Sequence, residues 1–168
     1  MILILAASDG QNLELSRQLS NLLKELFLPH ELVQLSTLEL PLYGVAAELK
    51  GIPENAKWLQ VKMSEAKGFV LVAPEYNGSL PPLLNNAIAW VSRCGVDNWR
   101  GSFAQKFTAL ATHSGGGGAK VLAAMRAQME HLGCNVLARQ LLTTPALPLK
   151  LENAKAVLLE LAQYCKTK

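Results

Sequence analysis

Two short stretches of this 168-residue chain are apolar at every position: "MILILA" at residues 1–6 and "FVLVA" at residues 69–73. Successive side chains of a strand point to opposite faces, so a strand with one wet face alternates polar and apolar residues. A strand with no polar side must be buried on both faces. Sheets covered on both faces are typically parallel, and helices make their crossovers. The chain supplies those helices. Residues 12–27 carry Leu13, Leu15, Leu19, Leu22, Leu23 and Leu26, largely at spacings of three, four and seven, which is the stripe of an amphipathic helix. Pro29 stops it. The same reading predicts helices over 53–66, with Pro53 in the first turn, over 82–94, over 119–132, where Gly133 ends the helix, and over 151–164. Further strands are expected at 31–36, 106–113 and 135–142. Residues 37–51, broken by Pro41, Gly44 and Gly51, are expected to be irregular.

Strand and helix therefore alternate along the chain, which predicts one α/β domain over residues 1–168. Five parallel strands with right-handed crossovers suit the flavodoxin-like order 2-1-3-4-5, with helices on both faces and a switch point between the first and third strands. Composition narrows the function classes. The formal charge is +3 and the Lys and Arg residues are scattered, without the basic stripe or aromatic platform of a nucleic-acid binder. No run reaches the ~18 apolar residues of a membrane span. The opening run lacks a basic n-region and a cleavage site, so a cytoplasmic protein is expected. Cys94, Cys134 and Cys165 form no CxxC pair, which suits a reducing compartment and structural thiols. His30, His113 and His131 have no metal-ligand spacing.

In such a sheet ligands bind beyond the carboxyl ends of the strands. Three loops there are unusual: "ASDGQN" at 7–12, "PEYNGSLP" at 74–81 and "HSGGGG" at 113–118. They follow strands one, three and four, which are adjacent in the expected order, so they should meet around one crevice. The first loop leads into a helix N-terminus, where free N–H groups and the positive dipole end favour an anion. Ser8 and Asn12 add polar side chains and Gly10 lets the backbone turn or approach a ligand. An ordinary Ser or Asp helix cap explains the same residues. Asp9 would repel a phosphate unless it points to solvent. The loop is neither a GxxxxGK[ST] phosphate loop nor a GxGxxG fingerprint. The four glycines of the third loop expose a row of N–H groups against which a flat ligand could lie, and a flexible turn is the plainer account. His113 reads as a ligand contact, a proton donor or a strand-end residue.

The second loop and the helix after it, "PEYNGSLPPLLNNAIAWVSR", resemble the signature of the NADPH-dependent FMN reductase family, which includes quinone, chromate and azo-dye reductases. The matching residues are Pro74, Glu75, Tyr76, Asn77, Ser79, Pro81, Leu84, Asn86, Ala87, Ile88 and Trp90. The resemblance extends to the opening strand with its Ser-containing loop and to the Gly-rich loop. It implies bound FMN. Ser8 and the backbone of Gly10, Gln11, Asn12 and Leu13 would hold the phosphate. Pro74, Glu75, Tyr76, Asn77 and Gly78 would run along the isoalloxazine ring, with Ser114, Gly115, Gly116 and Gly117 across the crevice. The family's first loop commonly reads Gly-Ser-x-Arg. Here Ala7 replaces the Gly and no Arg is present, so hydroxyls and N–H groups would do the work.

The expected function is an FMN-dependent oxidoreductase. It would pass electrons from NADPH or NADH to a small-molecule acceptor: a quinone, a flavin, a metal oxyanion or a nitro or azo compound. The flavin carries that chemistry, so no catalytic side chain is assigned, and Glu75 is expected to fix the loop. Tyr76 would stack or pack at an oligomer contact, and Trp58 and Trp99 would pack. The alternatives are a non-enzymatic electron carrier or redox-sensing module, and an oligomeric protein that has lost the flavin. The resemblance also implies a homodimer or homotetramer, with the helix at 83–94 as a candidate contact surface.

Overall fold

The computed structural model describes residues 1–95 and 98–166. Its five strands are β1 (Ile2–Ala6), β2 (His30–Gln34), β3 (Gly68–Val72), β4 (Phe107–His113) and β5 (Asn135–Thr143). They form one sheet in the order β2-β1-β3-β4-β5, and every pair is parallel. The helices are α1 (Gln11–Glu25), α2 (Val45–Glu48), α3 (Glu54–Glu65), α4 (Pro82–Cys94), α5 (Ala119–His131) and α6 (Leu151–Lys166). Strand order and direction are those the sequence predicts.

The uniformly apolar strands do what their composition requires. Leu3, Leu5, Phe69 and Leu71 point into one core layer with Leu59 and Met63 of α3, Leu84 and Val91 of α4, and Val121, Met125 and Met129 of α5. Ile2, Ile4, Val70 and Val72 point the other way, against Leu15, Leu19 and Leu23 of α1 and Leu158 and Leu161 of α6. The edge strands β2 and β5 are less fully buried, since each pairs on one side alone. Between β4 and β5 the register shifts around Thr108 and Leu110. Cys134, at the start of β5, lies in the first layer with its thiol donating to the Phe103 carbonyl at 3.1 Å. Burial pushes that thiol up to about 11, so it stays protonated at neutral pH.

Two expectations shift. The second strand ends at Gln34, and Leu35–Leu38 turn as a 3-10 helix that buries Leu35 and Leu38. The segment expected to be irregular contains the single turn α2. Trp90, the tryptophan of α4, is fully buried and ties that segment down: its Nε1 donates to the Pro41 carbonyl at 2.6 Å and its ring meets Tyr43 edge-on at 5.2 Å. Trp58 and Trp99, expected to pack, are partly exposed and lie under cations, Lys62 at 5.4 Å and Arg100 at 4.5 Å.

Replacing Trp90 by Phe keeps most of the ring buried but removes the shorter of the two bonds to the Pro41 carbonyl, which still accepts from Asn86 Nδ2 at 3.1 Å. The expected loss is about 0.5–1.5 kcal/mol of unfolding free energy, read as a lower urea midpoint at unchanged slope.

Candidate functional site

The three loops do meet. In-register parallel pairing of β1 with β3 and of β3 with β4 brings their carboxyl ends to one edge. The ladder continues past them, with the Ala7 amide donating to Val72 and the Ala73 amide to Ala111. The Thr112 hydroxyl then donates to the Ala73 carbonyl at 2.7 Å, closing the β3–β4 side of the edge.

The first loop leaves α1 uncapped: no side chain bonds its N-terminus. Ser8 Oγ accepts from the Gly10 amide at 3.0 Å, one residue ahead of the helix. The Leu13 and Glu14 amides return to the Gly10 carbonyl. The amides of Gln11 and Asn12 keep no protein partner among the described residues, which is the donor pair an anion at a helix N-terminus uses. Asp9 turns aside: Gln34 Nε2 donates to its carboxylate at 2.8 Å and the Ser36 hydroxyl donates to the same oxygen. Those two bonds, the Ser36 one first, hold its pKa below the ordinary value. The acid that threatened the anion reading is thus drawn to the end of β2.

Asn12 is buried, and its side chain faces the protein. Its Nδ2 donates to the His113 carbonyl at 2.8 Å and its Oδ1 accepts from the His113 amide at 2.7 Å. One side chain thereby ties the start of α1 to the end of β4. His113 itself bonds Thr143 through Nδ1 at 3.0 Å, while the Thr143 hydroxyl donates to the Thr112 carbonyl. With that proton spent, Thr143 accepts from Nδ1–H, which leaves Nε2 of the neutral ring as an acceptor.

In the second loop Pro74 is buried and Tyr76–Ser79 make a tight turn, with Tyr76 and Ser79 exchanging amide–carbonyl bonds of 3.1 and 3.0 Å. Asn77 and Gly78 both have positive φ, 51° and 73°. That is the backbone of a type I′ turn, and Asn-Gly is its preferred pair. Their own amides have no protein partner among the described residues. Tyr76 is half-exposed.

Glu75 joins this loop to the third. Its Oε2 accepts from the amides of Gly118 at 3.0 Å and Val121 at 3.2 Å, the first amides of α5, which has no cap of its own. Glu75 is therefore the cap, supplied from another loop. A methyl group at Gly117 would stand 3.3 Å from its Oε1, so the Gly-rich loop passes close over the carboxylate. Gly115 and Gly116 face open space, and their amides have no protein partner among the described residues, while the Gly117 amide donates to Ser114 Oγ at 3.2 Å. Free N–H donors from all three loops thus line one edge.

The sequence reading missed Lys120, on the first turn of α5. A methyl group at Gly78 would meet its Cδ at 3.2 Å and its Nζ at 3.8 Å, so its side chain lies across the Asn-Gly turn. A cleft of about 540 Å³ follows the outer edge of β5, and another of about 330 Å³ lies between α1 and the turn after β5, lined in part by Gln11 of the first loop and His113 of the third.

Comparison with known proteins identifies the family and the fold. The family model described as NADPH-dependent FMN reductase matches residues 1–146. A 2-hydroxy-1,4-benzoquinone reductase from a Burkholderia species is 40% identical over 63 residues, 37% of this chain and 34% of that protein. A quinone reductase of Escherichia coli K12 is 41% identical over 59 residues, 34% of this chain and 31% of that protein. These matches span about a third of the length of the relatives. Among solved structures, the flavoenzyme NAD(P)H:(acceptor) oxidoreductase FerB from Paracoccus denitrificans superposes with a TM-score of 0.81 at 19% identity, over 99% of this chain and 97% of that one. An azoreductase from Bacillus anthracis gives 0.63 at 18% identity, over 99% of both chains.

Replacing Glu75 by Ala removes the cap of α5. The expected cost is about 0.5–2 kcal/mol of stability. Amide exchange should accelerate at Gly118 and Val121 before it changes in the sheet, while a Gln variant, which keeps one acceptor oxygen, stays closer to the parent.

Proposed function

Because the chain belongs to the NADPH-dependent FMN reductase family, we propose that it binds FMN across the three loops and uses it to reduce a small quinone with NADPH or NADH. The observation that carries this is the set of free backbone donors converging from loops braced to each other, at Gln11 and Asn12, at Asn77 and Gly78, and at Gly115 and Gly116. Paired donors at an uncapped helix start suit a phosphate, and bare backbone on either side of a crevice suits a planar heterocycle with polar edges.

FMN, when bound, supplies hydride acceptance from the nicotinamide and its onward transfer, so that NAD(P)H, a proton and a quinone become NAD(P)⁺ and a hydroquinone. The protein's part is to bind and to hold still. Ser8 and the α1 amides would take the phosphate without an Arg. Pro74 to Gly78 would lie along the ring, with the left-handed turn presenting the Asn77 and Gly78 amides. Ser114 to Gly117 would close the other side. Asn12 and Glu75 act through other groups: they fix the spacing of the three loops. Quinones are favoured among acceptors because two relatives are quinone reductases. The expected assembly is a homodimer or homotetramer. Exposed Leu42, Val45 and Leu49 beside α4 supply apolar area for that contact, because Leu84, Ala87, Ile88, Trp90 and Val91 of α4 are already spent on its own core. Light scattering should report more than one chain per particle.

Titrating the purified protein with FMN should shift the visible flavin bands and quench flavin fluorescence. Anaerobic NADPH or NADH should then bleach the bound flavin, and a quinone should restore it. No spectral change on adding FMN overturns the proposal. Flavin that binds but is bleached by neither nicotinamide makes the protein an electron carrier instead.

A further inference from the structure

The loops around the crevice contain two carboxylates, Asp9 and Glu75, and both are engaged. Asp9 accepts from Gln34 and Ser36 at the end of β2. Glu75 accepts from the Gly118 and Val121 amides. Both carboxylates are held by neutral donors, and neither pairs with Lys120, in the first turn of α5. Lys120 makes no ion pair or hydrogen bond among the described residues, although six other pairs of Lys or Arg with Glu form on the surface. It occupies the first turn of a 13-residue helix, where the dipole disfavours positive charge. A residue that breaks a local rule without a compensating contact marks a functional position more often than an ordinary one.

Its placement is specific. The stem packs on Gly78, the glycine of the left-handed turn, where a Cβ would stand 3.2 Å from Lys120 Cδ. The Glu75 bonds fix the start of α5 against that same loop, so the exposed Lys120 side chain lies over the Asn-Gly turn with its ammonium group near Gly78. That turn and the Gly-rich loop are the two segments that would flank the ring, and the space over Gly115 and Gly116 is open.

We propose that Lys120 is the anion-recognising residue of this crevice and that it gives the enzyme a preference for acceptors carrying negative charge, such as ionised hydroxyquinones, over neutral quinones. The inference rests on the flavin-reductase reading. It adds the charge class of the acceptor and the residue that selects it. A 2-hydroxyquinone is a vinylogous acid and is ionised at neutral pH, so its oxygen can pair with an ammonium group, which a neutral quinone cannot do. An exposed pair of this kind is worth enough to change selectivity by up to about fivefold at low salt.

The test compares 2-hydroxy-1,4-naphthoquinone with 1,4-naphthoquinone as acceptors for the FMN-loaded protein. The ratio of their kcat/KM values should fall by up to about fivefold in Lys120→Met, through KM for the anionic quinone, and should be retained in Lys120→Arg. Raising the salt should erode the parent's ratio and leave that of the Met variant alone. A second readout needs no turnover. Benzoate, added without reductant, should move the backbone amide resonances of Gly78, Gly115 and Gly116 in the parent and in Lys120→Arg, and should not in Lys120→Met. An unchanged ratio together with benzoate shifts that persist in Lys120→Met overturns the inference. If the protein takes up no FMN, the benzoate titration runs on it as purified. Shifts that depend on Lys120 then keep the anion site while the flavin reading falls, and shifts that are absent or independent of Lys120 remove both.

Discussion

Parallel pairing is the constraint from which the site follows. With Ile2 level with both His30 and Gly68, and Gly68 level with Phe107, the strands finish at one height and release their loops on one side. An antiparallel arrangement of the same strands would have divided those loops between two edges. The cost of parallel pairing is a sheet that must be covered twice, and the core shows this. Alternate residues of β1 and β3 serve two separate apolar layers, one under α1 and α6 and one under α3, α4 and α5. The hydrophobic effect thus fixes where the loops emerge, without specifying what they hold.

What they hold is shaped by a few buried or half-buried polar contacts. Asn12 spends both ends of its amide on the His113 peptide, and Glu75 spends one oxygen on two amides of α5. Asp9 is drawn off towards β2. Each contact leaves the backbone donors of the crevice unspent. This is the reverse of the usual accounting, in which a buried edge satisfies every amide. Donors left over at the carboxyl edge of a parallel sheet are where a ligand can find its partners.

Much of the architecture was legible in the sequence, because apolar runs with no polar side have few ways to be buried. The two core strands, the five-strand order and the α1 stripe all rest on periodicity. The 3-10 turn at Leu35–Leu38 and the single turn α2 were not legible, since neither is long enough to show a period. The site was legible in part. The Asn77–Gly78 pair carries a turn signal that could have been read directly. The Glu75 contact with α5 could not, because it crosses 43 positions. Asn12 was expected to contribute its backbone and a polar side chain to a ligand; its side chain has a second task that only the approach of α1 to the end of β4 makes possible. Lys120 has no motif, and its position across Gly78 depends on the pairing of β3 with β4.

The Asn12 contact has a wider consequence. β1 and β4 are not neighbours; β3 lies between them. By gripping both atoms of the His113 peptide, the Asn12 amide acts as a strut that passes over the end of β3. The span between the first loop and the glycine-rich loop is therefore gauged twice, once over β3 by Asn12 and once through the loop that leaves β3, where Glu75 holds the start of α5. A change confined to either brace leaves the other standing, so the mouth can tolerate substitution at one of them without losing its width.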